Sequence, residues 1–569
     1  MKLKQLITLA GLSALLACSE ANEPAADVVF FNGTIYTVAE PPMVEAVAVK
    51  DGRIIFAGER QVLSAYINDS TRQIDLQGRT MTPGFIESHG HFMGLGMSEL
   101  ELNLLDVKSY DELVERVAQA VANAEPGQWI TGRGWHQSKW QPQPEVMVKG
   151  FQTHDKLSAV SPDNPVFLRH ASGHAAFANA KAMSTAGVNP LSVEALQENI
   201  AGGEIIRDDM GNPTGIFTET AQGVIARYIP PPTDEQRQRA FELAVAACQR
   251  NGITGFHDAG VGRETIALYR QAQERGKLGV RLYVMLTGRD PALLEEWYQR
   301  GPLIDSAHHM LTIRAIKLNC DGALGSRGAW LLEPYSDRPG HYGAPTISMD
   351  FVSVVAQKGL EHGFQVCSHA IGDRANREVL DRYEAAFKKY PQVTDPRYRI
   401  EHAQHLHPDD IPRFGKLGVI AAMQAIHMSS DRPWAIERLG EKRIKEGAYM
   451  WQSLLQSGAV VTNGTDVPVE PINPLASFYA SVTRQTLAGT PPGGYEPEEK
   501  MTRQQALRSY TLDAAYGEFA EDFKGSIEPG KAADFTVFSK DIMTISAEEI
   551  LQTEVVMTVL DGRIVYQQQ

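Results

Sequence analysis

Eight short apolar runs, each set apart from the next by a longer stretch, constrain this chain more than any other feature. They are Met81–His91, Ile253–Asp258, Val280–Leu286, Thr312–Asn319, Phe364–His369, Tyr398–His402, Val419–Gln424 and Ala459–Asp466. Short apolar runs with β-branched and aromatic residues read as buried strands. The spacers read as helices: Asp234–Arg250 is one such stretch, with apolar Phe241, Leu243, Ala244 and Ala247. Strands alternating with helices build a parallel sheet, and eight such units close a (β/α)8 barrel. The expected fold is therefore α/β, a TIM-type barrel over 81–519. About 160 residues separate the first run from the second, too many for one crossover. They contain strand-like pieces of their own (Gln128–Gly132, Pro165–Arg169, Gly203–Ile206). We read about 98–240 as an insertion over the barrel mouth.

The two ends resemble each other. Asp51-Gly52 lies between apolar runs near the start, and Asp561-Gly562 does so near the finish. Asp-Gly between apolar runs is a hairpin signal. With the strand-like Val28–Tyr36 and Ala532–Phe538, the pattern predicts one small β-sandwich from 27–80 and 520–569, against the alternative of two unrelated hairpins. Ahead of it, Lys2 and Lys4 precede an uncharged, mostly apolar run, Leu6–Ala17, of signal-peptide length and too short to span a bilayer comfortably. It ends Leu15-Leu16-Ala17-Cys18, which resembles a bacterial lipobox with Cys18 as the lipidated residue. The expectation is a signal over 1–18, a polar tether over 19–26, and an exported protein lipid-anchored at the cell envelope, facing the periplasm. An ordinary secretory signal with an incidental cysteine is the alternative.

Acidic residues outnumber basic ones, 69 to 54, so the basic footprint of a nucleic-acid binder is missing. Four cysteines in 569 residues are too few for a disulfide scaffold. Cys248, Cys320 and Cys367 sit in settings that read as element interiors, hence buried thiols.

The polar residues at the ends of the runs carry the chemistry, because active sites of such barrels form at the C-terminal ends of the strands. His89 and His91 are two apart on a strand and share a face. Two converging imidazoles are the usual start of a metal site. Later runs end at His369, His402 and Asp466, which strengthens the reading. For Asp466 alone, a turn cap after Asn463-Gly464-Thr465 is the plain alternative. Lys317 lies inside the apolar fourth run, where a charge is costly unless paired or neutralised; a salt bridge to Asp321 or Glu219 is one solution.

The chain resembles the amidohydrolase superfamily, and more closely its family 3 branch of YtcJ-like and N-substituted formamide deformylase-like hydrolases. The resemblance rests on Thr82–His91, Gly252–Gly260, Lys317–Arg327, Gly363–Ala375, Arg399–Gln404, Gly464–Val469 and Gly525–Asp534, and spans nearly the whole chain after the signal. It implies a metal-dependent hydrolase with one or two divalent ions, zinc foremost. His89 and His91 would hold one ion and His369 and His402 a second. Lys317, carboxylated by CO2, would bridge them, and Asp466 would bind metal and carry the proton. It also implies His174 as an active-site residue, where the residues alone allow a surface loop. Trp135 reads as a pocket wall or a core tryptophan; Glu219, Asp321 and Gln424 are weaker substrate-binding candidates. His257 is read as structural, and His308, His309, His362, His405 and His407 as solvated. The chain departs from the branch's pattern at His136, Gly328 and Ala425, none of them an expected ligand. The implied activity is cleavage of a non-peptide C–N bond in a small N-substituted amide, with no nucleic-acid partner and only an N-terminal lipid touching membrane. A hydrolase of a cyclic amide, lactone or ester is one alternative, and a non-catalytic, lipid-anchored binding protein is another.

Overall fold

The structure is a computed structural model, and it describes residues 25–568 except 138–139, 172, 174, 201–202 and 306–307. Cys18, the signal segment and His174 lie outside the described residues.

Eight parallel strands form the central sheet: β1 (Phe85–Gly90), β2 (Ile253–Val261), β3 (Arg281–Thr287), β4 (Leu311–Asn319), β5 (Gln365–Ala370), β6 (Arg399–His402), β7 (Ile420–Met423) and β8 (Val461–Asn463). They pair in sequence order from β1 to β8. The seam between β8 and β1 is drawn together just beyond the ladder, where the Asp466 N–H donates to His89 O at 2.8 Å and the His91 N–H to Val467 O at 2.7 Å. The sheet is thus a nearly closed barrel, and all eight sequence runs contribute a strand. Helices pack outside it. Asp234–Arg250 begins with a capping box between Thr233 and Gln236, and its Phe241, Ala244 and Ala247 turn inward. A cap of this kind contributes about 1 kcal/mol.

One boundary moves. The run Met81–His91 is not a single strand, because Thr80–Pro83 belongs to a different sheet and pairs antiparallel with Phe535–Phe538. The chain crosses between sheets at Gly84, where a Cβ would lie 2.2 Å from Thr254 Oγ1. Only glycine permits so close an approach.

Both chain ends build that other sheet. Val28–Tyr36, Met43–Lys50, Arg53–Gly58, Arg72–Asp75 and Thr80–Pro83 join Phe535–Phe538, Val555–Leu560 and Arg563–Gln567 in one eight-stranded sheet. Period-two alternation buries both faces. Val28 and Phe30 pack with Phe535 and Val559 on one side, while Val29 and Ala46 pack with Leu63 and Tyr66 on the other. The two Asp-Gly turns are alike: φ is 50° and 74° at Asp51 and Gly52, 53° and 74° at Asp561 and Gly562. That pair of left-handed residues matches the twist of a two-residue hairpin.

A six-stranded sheet lies between β1 and β2 in the chain, built from strands between Leu102 and Thr218. It has its own core, with Trp135, Trp140 and Phe177 fully buried. Its link to the barrel mouth is Arg133, whose Nη1 donates to Pro468 O at 2.7 Å.

Candidate active site

The seam between β8 and β1 gathers the first group. Glu87 on β1 is buried and accepts the Thr465 N–H and the Thr465 hydroxyl, each at 2.8 Å. The turn passes so close to this carboxylate that a Cβ on Gly464 would sit 2.2 Å from Glu87 Oε1. Asp466 follows in the left-handed region at φ 57°, and His402 does the same at 75°. Non-glycine residues in that region cost on the order of 1–3 kcal/mol each, and surrounding contacts must hold them. The outcome is convergence: one ligand atom from each of His89, His91 and Asp466 lies within 4.8 Å of the others. His91 Nε2 is 3.2 Å and His89 Nε2 3.6 Å from Asp466 Oδ1.

Three of the four imidazoles spend their other nitrogen on an acceptor inside the protein. His89 Nδ1 meets Glu401 Oε2, His91 Nδ1 meets Ala259 O at 3.0 Å, and His402 Nδ1 meets Gln424 Oε1 at 2.6 Å. His369 Nε2 lies 3.3 Å from Asp321 Oδ1 without a hydrogen bond among the described residues. In the other three rings the acceptor calls for the N–H tautomer at that nitrogen, which leaves a lone pair on the opposite one. His369 and His402 stand beside the first group, with ring centroids 4.5 Å apart and His402 4.9 Å from His89. Burial keeps two of the rings neutral: His89 is lowered to about 4 by burial and then by Lys317, and His402 is well below its ordinary value by burial and then by His369.

These residues fit a divalent ion. His91 Nε2 and Asp466 Oδ1 are both acceptors once His91 Nδ1 donates to Ala259 O, and two lone pairs 3.2 Å apart need a positive charge between them. Without a metal only a proton can serve, and His91 accordingly titrates high: burial opposes its charge, and the Asp466 carboxylate outweighs burial. Asp466 Oδ1 is buried and has no hydrogen-bond donor among the described residues.

Lys317 lies on the inner face of β4 with Nζ 3.1 Å from His89 Nε2. Among the described residues no carboxylate oxygen comes within ion-pair reach of it, so the expected salt bridge to Asp321 is absent. Burial pulls its ammonium down, against Glu401 and Asp466. Asp321 is engaged elsewhere, accepting the N–H groups of Trp330, Ile371 and Gly372 at 2.9–3.0 Å. It pins the loop after β5 behind His369 rather than lining the cavity. Gln424 likewise orients His402. Trp135 is not a pocket wall: it is fully buried in the six-stranded unit, with Nε1 donating to Leu168 O at 2.8 Å. Glu219 sits on a short 3-10 turn, Glu219–Gln222, and its side chain lies outside the described set. His405 is buried, not solvated.

Sequence reasoning missed the support beneath the ligands. Arg399 and Glu401 are fully buried on β6; Arg399 Nε donates to Glu401 Oε1 at 2.8 Å and Nη2 to Ser88 O at 2.6 Å. Burial pushes Glu401 up, but Arg399 and His89 bring it down to about 2. An Arg-x-Glu pair inside a short apolar run was the available signal, since buried charges must be paired.

Above these side chains opens a cavity of about 610 Å3, lined by His89, His91, Lys317, His369, His402 and Asp466 at its floor. The model of the amidohydrolase family matches residues 72–566. The chain belongs to the amidohydrolase family. It is 32% identical to Protein LONG AFTER FAR-RED 3 of Arabidopsis thaliana, over 95% of this chain and 92% of that one. It is 29% identical to an N-substituted formamide deformylase of Arthrobacter pascens, over 95% and 98%. A crystal structure of an uncharacterized metal-dependent hydrolase from Pyrococcus horikoshii superposes with TM-score 0.72 at 28% identity, covering 91% of this chain and 99% of that one. As an amidohydrolase the protein is a metal-dependent hydrolase, and His89, His91 and Asp466 form its candidate metal centre.

Proposed function

We propose that this amidohydrolase cleaves the C–N bond of a small, non-peptide N-substituted amide. The observation that carries the reading is the inward-donating set of imidazoles around Asp466, which leaves lone pairs and one carboxylate oxygen facing a common point. The likeness to the formamide deformylase supports the bond class. His89, His91 and Asp466 would hold one divalent ion, zinc foremost, and His369 and His402 a second. Such an ion supplies a Lewis acid for the carbonyl and brings the pKa of a bound water from 15.7 to about 7. Asp466 accepts the proton of the attacking water and delivers it to the departing nitrogen, so that acid and amine leave with the proton count balanced. Glu87 and Thr465 fix Asp466 against the seam while it does so.

Lys317 is proposed as a carboxylated lysine. Its neutral amine would add to CO2, forming a C–N bond as one C=O π bond opens and one proton leaves, and the carbamate would supply an anionic ligand. The absence of a described counter-ion and the contact with His89 support this. We also propose that the protein is exported and lipid-anchored through Cys18, which Cys18→Ala and fractionation of the cell envelope would test.

The deciding experiment pairs metal quantification with a panel of N-acyl amines. Stoichiometric divalent metal and chelator-sensitive amide turnover are expected. Protein without metal above background, or without metal-dependent turnover of any amide, would refute the proposal. For Lys317, loss of activity in Lys317→Ala with rescue by short carboxylic acids is expected, and full activity in that variant refutes the carbamate.

A further inference from the structure

The proposed chemistry uses the floor of the cavity and leaves one wall unexplained. That wall is a face of the helix Ala425–Gly447. His427, Asp431, Trp434 and Arg438 recur at helical spacing, and all four line the cavity. The face starts at the metal-ligand cluster, where His427 stacks on His402 with centroids 6.1 Å apart and 22° between planes. Asp431 lies one turn further, about 6 Å along the axis at 1.5 Å per residue.

Two carboxylates share this wall. Glu470 accepts the Ser430 hydroxyl at 2.5 Å, and Asp431 accepts only a long contact from Gln404 Nε2 at 3.4 Å among the described residues. Neither has a Lys, Arg or His nitrogen within 4.0 Å among the described residues. Of the two arginines that also line the cavity, Arg438 pairs with Asp337, while Arg133 donates to Pro468 O at 2.7 Å and acts on Glu470 from beyond ion-pair distance. Burial and the nearby Glu470 charge push Asp431 up to about 6, against the pull of His427. An independent sign of a missing ligand is His427 itself, which is 8% exposed, lines the cavity, and has no hydrogen-bond partner at Nε2 among the described residues. Buried polar groups left unpaired are costly and call for an explanation.

We infer that this wall is a subsite for a positively charged end of the substrate, an ammonium or guanidinium group held by Asp431 and Glu470, with His427 as a hydrogen-bond partner and the Trp434 ring against the stem. The inference rests on the amide-hydrolase reading of the same cavity and names its substrate class: amides whose amine portion carries a second, cationic group. A cation there pairs both carboxylates, and an aromatic face beside it adds to the attraction. A neutral amine of equal length fills the space and leaves the charges unmatched.

Calorimetry on the metal-loaded protein separates this inference from the reaction. The probes are the mono-N-methanesulfonyl derivatives of 1,5-diaminopentane and 1-aminopentane, which lack a hydrolysable carbonyl and differ only in the terminal ammonium, the second being neutral. The diamine derivative is expected to bind at least about tenfold tighter, the size of a charge-assisted hydrogen bond. Asp431→Asn and Glu470→Gln, tested separately so that a fold defect in one leaves the other, should each cut that ratio to less than about threefold. Equal binding of the two derivatives, or a ratio that survives both substitutions, overturns the subsite. In parallel, the N-formyl derivatives of both amines are assayed for turnover. Preferential binding of the diamine derivative without turnover of either amide breaks the reaction and keeps the subsite. Turnover of both with equal kcat/KM breaks the subsite and keeps the reaction.

Discussion

His89 and His257 stand on neighbouring strands of one barrel, both fully buried, both beside a glutamate, and they do opposite things. The Nδ1 of His257 takes an N–H from Arg399 at 2.9 Å, and its Nε2 faces Glu518 Oε1 at 3.4 Å, where Lys524 completes an ion pair at 2.6 Å. Around it, Arg399 and Lys524 match Glu401 and Glu518, so charge is balanced inside the protein. His89 reaches the same network through Glu401 but turns its Nε2 onto the cavity, where His91, His402 and Asp466 also present acceptors. A barrel interior closed by its own counter-charges is structure. One whose mouth is left with acceptors in surplus is a site awaiting a cation. Strand position agrees with this difference: His257 lies at the middle of β2, four residues before its end, while His89 lies one residue from the end of β1.

Predictions that test this contrast begin with the mouth. Asp466→Asn should lower kcat by about 10²–10⁴-fold on any responsive amide, the usual worth of a general acid–base group; a variant keeping a tenth of wild-type kcat would remove Asp466 from proton transfer. Within the balanced interior, Arg399→Met strands the Glu401 carboxylate and should cost about 3–5 kcal/mol in denaturant unfolding. A loss under about 1 kcal/mol would mean the interior is not held by this pairing. Glu401→Gln bridges the two regions. It should weaken metal binding about 10–100-fold, read by chelator competition, since it supports His89 from behind. Unchanged affinity would separate the network from the site.

A smaller effect depends on pH. Burial raises Glu518, but Lys524 and then His257 outweigh it and bring it from 4.5 down to about 2. The folded protein keeps this carboxylate ionised at pH values where the unfolded chain has bound a proton, so its contribution is whole above about 4.5 and fades as pH falls towards 2. The stability gap between wild type and Glu518→Gln should therefore shrink across that window; a gap constant with pH would contradict the pairing. Smallest in its consequence for the site, Trp135→Phe removes the bond to Leu168 O and leaves a cavity in a fully buried core, and should cost about 2–3 kcal/mol of stability, with KM unmoved. A change in KM would return Trp135 to the pocket.

Much of the site was legible because its residues end strands. His89, His91, His369, His402 and Asp466 all sit where period-two runs stop, and the structure gathers them at one mouth. Lys317 was legible as an oddity, a lysine in an apolar strand, but its neighbours were not: Asp321, four residues on, faces backbone amides instead. Arg399 and Glu401 went unread as a pair although they lie within one short run. Trp135 could not be placed, since a tryptophan after a strand serves a core or a pocket equally well. His427 and Asp431 were missed because helical spacing makes a face without saying what it faces.

The sequence by itself determined the strand–helix alternation, the hairpins of the two ends and the identity of the ligand-bearing strands, since those follow from local periodicity and turn chemistry. Tertiary structure decided where one sheet stops and the next begins at Gly84. It decided which histidine is closed by counter-charges and which is left open, and which wall the helix 425–447 presents to the cavity. The physical reason is that charge balance and close approach are properties of groups hundreds of residues apart, as Glu87 with Thr465 and His89 with Glu401 show.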